Sequence, residues 1–174
     1  MSRELRAGGQ IASVPEPADV LHTLCAHHLL ESSEYPVVAF RFGHQQFQEY
    51  YAAVGVRRRL EQVLESGNAD EERVLARTYL NEPAWAEPLW MIAEAIGVET
   101  TEATPAGALA AKLGALLVKL ALDVDLVLAA ELARLCGERV WADIGPTLVA
   151  RLRAWYAVRY EQHRQCALVA MVAS

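Results

Sequence analysis

Apolar residues recur at every third or fourth position through most of the chain, a spacing that is typical of amphipathic helices. The longest of these patterns begins near His44, directly after Gly43, and ends at Gly67. Its apolar face carries Phe47, Tyr50, Tyr51, Val54, Leu60, Val63 and Leu64. The opposite face carries the arginine run 57–59, with acidic residues about one helical turn away. We therefore expect these arginines to pair with carboxylates on a solvated face.

Shorter helical patterns flank this long one on both sides. Before it, Asp19 is placed to cap a helix that runs to about Glu31. After it, a short helix is expected over about 70–80, and the segment 81–83 starts another. The apolar positions of that second helix are Trp85, Leu89, Ile92, Ala93 and Ile96. Because proline disrupts a helix interior, Pro88 fits only in the first turn.

No strand pattern follows Thr104. Three leucine-rich stripes are found instead, separated by breaks at Asp123, Gly137 and the pair 145–146. The stripes consist of Leu109, Leu113, Leu116, Leu117 and Leu120; Leu128, Leu132 and Leu135; and Leu148, Leu152, Trp155 and Tyr156. Helices that are joined by short turns pack antiparallel, so this half of the chain is expected to form a bundle or an α-solenoid.

One segment departs from the helical pattern. Residues 36–42 are rich in β-branched and aromatic types, with Phe40 and Phe42 alternating against Ala39 and Arg41. This segment supports one strand or one hairpin. The expected fold is therefore mainly α, with a short β-hairpin or strand followed by antiparallel helices in a HEAT-like or bundle arrangement.

Composition agrees with a helical protein and restricts its partners. Of the 174 residues, 30 are alanine and 23 are leucine, against 10 glycines and 7 prolines. The net charge of −6 opposes binding to a nucleic-acid backbone. Two lysines interrupt the apolar stretch 106–122, which is therefore predicted to be too charged and too short to span a membrane. Three cysteines without C-x-x-C spacing, and no signal-peptide pattern, predict a cytoplasmic setting.

The common catalytic motifs are missing from the sequence. Neither G-x-x-x-x-G-K-[ST] nor G-x-G-x-x-G occurs, so the chain is not expected to hydrolyse ATP. H-E-x-x-H and G-x-S-x-G are also missing, which leaves hydrolase mechanisms without support. The chain is therefore predicted not to be an enzyme and to hold no cofactor of its own.

Two alternative functions start from clusters of polar residues. One is a small helical protein with a metal site in the segment 22–28. Its ligands would be His22, Cys25, His27 and His28. Zinc needs four convergent ligands, so this alternative predicts a stoichiometric metal in the purified protein. The other alternative is a nucleic-acid-binding winged helix that uses Arg41 and the run 57–59, and it predicts an affinity that falls steeply with salt.

The most specific motif is the block Phe40-Arg-Phe-Gly-His-Gln-Gln-Phe-Gln-Glu-Tyr-Tyr-Ala-Ala53. It resembles the F-x-H-x-[ST]-F-Q-E-[YF]-x-A-A signature near the end of the winged-helix domain of NACHT-type STAND NTPases, the signal-transduction ATPases that include the NOD-like receptors. The block 81–93 resembles the D-P-x-W-R-E-x-x-x-L-x-A stretch that opens their helical region. The resemblance covers about residues 18–140. This chain departs from the family at Gln46, where Ser or Thr is usual, and at Pro88, where an aliphatic residue is common.

The resemblance implies a regulatory segment with three parts: a flexible lead-in at 1–17, a winged-helix-like segment at 18–66 and a HEAT-like helical scaffold at 68–174. In the family, the histidine that matches His44 reaches the β-phosphate of ADP and latches the inactive state. ADP or ATP with magnesium would be held by a NACHT nucleotide-binding core in the same polypeptide. Protein partners would bind the helical scaffold, and neither a membrane nor nucleic acid is expected as a partner.

Structural roles are implied for the other signature residues. They are Phe40, Phe42, Phe47, Gln48, Glu49, Tyr50, Ala53 and Trp85. Phe47, Tyr50 and Ala53 are expected to pack the long helix against the strand. The two polar members of the set either bridge to the following helices or stay solvated. His44 also has a simpler alternative role, which is to cap the helix or to hydrogen-bond the neighbouring strand.

Overall fold

A computed structural model of the protein describes residues 15–33, 38–157 and 161–173. These residues are mainly helical, with one two-stranded antiparallel sheet, which confirms the predicted fold class. The lead-in predicted for residues 1–17 lies outside the described residues up to position 14. Its last residue, Pro17, already opens the first helix.

The chain divides into two compact units, one up to Glu49 and one from Tyr50 onward. The first unit contains α1 (Pro17–Ala26), β1 (Leu30–Ser33) and β2 (Ala39–Phe42). Helix α2 (Gln45–Ser66) runs through the division between the two units. The second unit continues with α3 (Ala69–Leu75), α4 (Ala86–Thr100), α5 (Pro105–Leu122), α6 (Leu126–Cys136), α7 (Glu138–Ala157) and α8 (Glu161–Ala173).

The first helix is shorter than the sequence predicts. It ends at Ala26 rather than near Glu31, and Leu30–Ser33 forms a strand. His28 has a positive φ of 56°, so the chain leaves the helical conformation here. The strand forms because β2 needs a partner for its backbone N–H and C=O groups, and this tertiary pairing outweighs the local helical pattern.

The segment between α2 and α4 follows the predicted order. Gly67 has φ 60° and ends α2, and the side chain of Asn68 then caps α3 by accepting the N–H of Asp70. A π-helical turn (Ala76–Leu80) and a 3₁₀ turn (Pro83–Trp85) connect α3 to α4. Pro88 lies in the first turn of α4, as predicted.

Helix α6 lies at the centre of the second unit and packs against α4, α5, α7 and α8. Its fully buried residues include Ala129, Ala130, Leu132, Ala133 and Cys136. Leu128 and Leu135, which the sequence placed on the same stripe as Leu132, are only half-buried. The central helix therefore buries mostly small side chains, which allow its neighbours to approach closely.

The predicted break at Gly145-Pro146 is wrong, because α7 continues through it. Pro146 is exposed, so the loss of its backbone N–H affects the solvated side of the helix. Gly145 is buried against the indole of Trp141, and a Cβ at this position would lie 3.0 Å from that ring. Packing on the buried side therefore keeps the helix continuous.

The length and composition of α5 differ from the expectation that the stretch 106–122 is too charged and too short to span a membrane. By length and composition alone, Pro105–Leu122 is apolar enough to cross a membrane, contrary to the argument from its two lysines. However, 56% of this helix is buried inside the protein. A helix at the core of a folded domain has the same composition, so its apolar character is accounted for by packing.

Candidate functional site

The residue at which the hairpin passes into α2 is His44. The two strands pair with Leu30 opposite Phe42 and Ser33 opposite Ala39. At the base of this hairpin, the N–H of Gly43 donates to the carbonyl oxygen of Leu29 at 3.0 Å. His44 follows directly, and Gln45 begins the helix. The position of His44 is therefore fixed by backbone hydrogen bonds on both sides.

Glycine is required at position 43 by a close backbone approach. A Cβ on Gly43 would lie 2.7 Å from the carbonyl oxygen of His28, a separation that real Cβ atoms essentially never show. His28 itself has a left-handed φ, so its backbone has little freedom to move away. The tight turn at the base of the hairpin therefore depends on a residue without a side chain.

The backbone and the side chain of His44 have separate roles. Its carbonyl oxygen accepts the N–H groups of Phe47 at 3.2 Å and Gln48 at 3.4 Å, which forms the first turn of α2. Its imidazole is exposed, and the ring centroid lies 6.0 Å from that of Phe47. No other described residue hydrogen-bonds this imidazole. Only the backbone of His44 therefore performs the capping role that the sequence left open.

The aromatic residues of the motif are more exposed than the sequence predicts. The exposed fraction is 44% for Phe40, 38% for Phe47 and 52% for Tyr50. Phe42, opposite Leu30, is half-buried. Phe47 and Tyr50 therefore keep part of their ring surface in contact with solvent. Among the described residues of the first unit only Leu30 is buried.

The remaining motif residues are divided between surface and core. Ala53 is 6% exposed and belongs to the core of the second unit. Gln48 is exposed, and Glu49 accepts a hydrogen bond from Gln45 of its own helix at 2.6 Å. Trp85 is half-buried and packs edge-on against Tyr79, with the ring centroids 4.7 Å apart. These contacts join neighbouring side chains of the protein to one another.

Two arginines of the nucleic-acid alternative, Arg41 and Arg57, are paired with carboxylates. Arg41 lies directly opposite Glu31 in the hairpin and contacts it at 2.5 Å. Arg57 contacts Glu61 at 3.1 Å, as the sequence predicts, and reaches both carboxylate oxygens of Glu99 at 2.5 and 2.8 Å. Carboxylates so close to these cations reduce the positive potential that a phosphate backbone requires.

The pair between α2 and α4 was not predictable from sequence, because it joins residues 42 positions apart. The hydrogen bonds from Arg57 hold the pKa of Glu99 below its ordinary value, although partial burial acts in the opposite direction. The same bonds raise the pKa of Arg57. Both groups are therefore charged at neutral pH, and their ion pair links α2 to α4.

The histidine and cysteine cluster does not form a metal centre in the described residues. His22 and Cys25 lie on α1, while His27 and His28 lie beyond its end. Among all described residues, no group of three or more His, Cys, Asp or Glu side chains is arranged to hold a metal ion.

A second candidate site, which the sequence did not indicate, is a groove of about 290 Å³ on the helical unit. It lies between the 80–83 connection, α4 and the start of α6, and we call it the acidic groove because Glu82, Asp125 and Glu131 line it. The indole N–H of Trp90 donates to Glu131 Oε2 at 3.1 Å.

Comparison of the chain with known protein families, curated proteins and solved structures finds no match.

Proposed function

We propose that this chain is a non-catalytic regulatory segment of a NACHT-type signal-transduction ATPase. The observation that carries the proposal is the placement of His44, which is exposed between a two-stranded hairpin and a 22-residue helix. The order of helix, hairpin and long helix supports its assignment to the end of a winged-helix domain. The motif that carries the family resemblance spans this junction.

The chemistry of His44 suits a latch on a nucleotide phosphate. An imidazole N–H donates a hydrogen bond to a charged phosphate oxygen, and such a bond can be broken when the protein switches state. The first backbone N–H groups of α2 also favour an anion at this end of the helix. In this proposal the rest of the ADP and magnesium site belongs to a nucleotide-binding core in the same polypeptide.

The helical unit serves in this proposal as a HEAT-like scaffold. Its core helices hold a continuous buried interior, while exposed apolar side chains such as Val98 and Leu109 remain on its surface. Such a unit senses or binds a protein partner and transmits the result to the winged-helix segment. This role requires no catalytic residue in the chain.

The experiment is a nucleotide-release measurement on the full-length protein that contains this chain and its core. His44→Ala is expected to accelerate the release of a fluorescent ADP analogue by at least about tenfold. A hydrogen bond to a charged group contributes about 1.5–3 kcal/mol, and about 1.4 kcal/mol corresponds to a factor of ten. Basal signalling should rise in the same variant, because the closed state is less populated.

The control is His22→Ala, which removes another exposed imidazole from the same unit. This variant is expected to release the nucleotide at the wild-type rate. If His44→Ala retains ADP as well as the control does, the latch role is wrong. If the full-length protein contains no nucleotide-binding core, the whole assignment to this class of ATPase is wrong.

A further inference from the structure

The acidic groove has an apolar interior. Leu80 and Leu89 are 4% and 1% exposed at its base, and Leu128 is half-buried in its wall. The indole of Trp90 forms another part of the wall. Its volume of about 290 Å³ lies at the lower end of the range for small-molecule pockets. The groove therefore has room for one long side chain rather than for a large cofactor.

Two of the three carboxylates in the groove are held in place by hydrogen bonds. Asp125 Oδ1 accepts the N–H groups of Val127 and Leu128 at 2.8 and 3.1 Å and so caps α6. Glu131 Oε2 accepts the indole N–H of Trp90. The second oxygen of each carboxylate has no hydrogen bond to a described residue. Fixed acceptors of this kind bind a donor without a large loss of side-chain entropy.

The negative charge of the groove is not balanced within the part of the chain that the structure describes. Neither Glu82, Asp125 nor Glu131 forms an ion pair there, whereas Glu31, Glu61 and Glu99 each contact an arginine. Three carboxylates thus line one groove without a cationic partner among the described residues. An occupant with positive charge would complement them.

We propose that the acidic groove binds an arginine side chain presented by a basic segment of a partner protein. The apolar walls accommodate the methylene stem of the arginine, while its planar guanidinium donates to the carboxylates and stacks on aromatic faces such as that of Trp90. This binding rests on the scaffold role proposed above and specifies the kind of partner protein that the scaffold binds. It does not depend on His44 or on nucleotide.

The first test compares two fluorescent peptides that differ in one side chain. The probe is Ala-Leu-Ala-Arg-Ala-Leu-Ala-amide with tetramethylrhodamine on its N-terminal nitrogen, and its control carries citrulline, which has the shape of arginine without its charge. Anisotropy titrations of the full chain are expected to give at least about tenfold tighter binding for the arginine peptide. The indole N–H resonance of Trp90, assigned with Trp90→Phe, is expected to shift during the titration. Equal affinity for both peptides, or an unmoved resonance, would overturn the proposal.

The second test removes single charges from the groove. Asp125→Asn retains an N-cap residue, and Glu131→Gln retains an acceptor for the indole, so both variants are expected to fold. Each is expected to weaken binding of the arginine peptide by about fivefold, the factor that corresponds to about 1 kcal/mol for one exposed ion pair. Glu94→Gln, an exposed position of α4 outside the groove, is the matched control and should change the affinity by less than about twofold.

An equal loss of affinity in Glu94→Gln would mean that general attraction to an acidic protein explains the binding, and it would refute the groove. Competition with agmatine identifies the source of the guanidinium. We expect agmatine to displace the peptide only at concentrations at least about tenfold higher than unlabelled peptide, because it lacks the flanking backbone and leucine contacts. Displacement at equal concentrations would assign the groove to a small organic cation and overturn the protein partner.

Discussion

The approach of α4 to α6 at Gly97 gives the sharpest test of the helical packing. A Cβ built on Gly97 would collide with the backbone carbonyl oxygen of Leu135 and lie 3.4 Å from its carbonyl carbon. The obstacle is backbone, which cannot rotate away as a flexible side chain can. We therefore expect Gly97→Ala to force the two helices apart and to lower the free energy of unfolding.

The size of this effect follows from two opposing contributions. Overpacking of a core costs about 1–3 kcal/mol, and a collision with backbone belongs in the upper half of that range. Alanine is better than glycine in a helix by about 1 kcal/mol, which offsets part of the cost. The expected net result for Gly97→Ala is a loss of about 1–2 kcal/mol in the free energy of unfolding.

A matched control lies in the interior of another helix. A Cβ on Gly55 in α2 would meet nothing within 4 Å, so Gly55→Ala gains the helix propensity without a collision. We expect it to stabilise the protein by about 0.5–1 kcal/mol. The two variants should therefore shift the midpoint of urea unfolding, followed by circular dichroism, in opposite directions with similar slopes. If Gly97→Ala is as stable as Gly55→Ala, the close contact between α4 and α6 is wrong.

Two further predictions concern thiols and the ion pair between α2 and α4. Burial raises the pKa of Cys136 to about 12, so a thiol reagent at mildly alkaline pH should modify the exposed Cys166 in the native protein and Cys136 only after unfolding. Arg57→Met should cost at most about 1 kcal/mol at neutral pH, because both partners are partly exposed. Since Arg57 lowers the pKa of Glu99, this difference should be complete above the ordinary pKa of glutamate and disappear as the pH falls through the lowered value. A pH-independent difference in urea titrations would contradict that link.

The sequence predicts the parts of the fold that depend on local signals. Gly67 and Gly137 end helices with positive φ, and Asp123 lies in the turn after α5. Only the second strand of the hairpin was predicted, because β2 contains two phenylalanines and follows two valines, whereas β1 is Leu-Glu-Ser-Ser. Such a strand forms by pairing rather than by its own propensity, so its sequence does not reveal it.

The two candidate sites also differ in whether the sequence reveals them. His44 was singled out by the family resemblance of the motif 40–53, whose residues are contiguous in sequence. The acidic groove was missed because Glu82, Asp125 and Glu131 come from separate elements. The leucine spacing also predicted the wrong buried residues on α6. Its alanines are fully buried, whereas Leu128 and Leu135 are only half-buried. Periodicity shows that a helix is amphipathic but not how near its neighbour lies.

The contact at Gly97 connects this packing to the acidic groove. Trp90 lies about two helical turns before Gly97 on α4, and Glu131 lies about one turn before Leu135 on α6. The hydrogen bond between Trp90 and Glu131 therefore spans the same pair of helices that approach at Gly97. A substitution that separates the helices would lengthen this bond and widen the groove. The shape of the groove therefore depends on the glycine at position 97, which has no side chain. The pattern of polar and apolar residues along the chain does not indicate such a requirement.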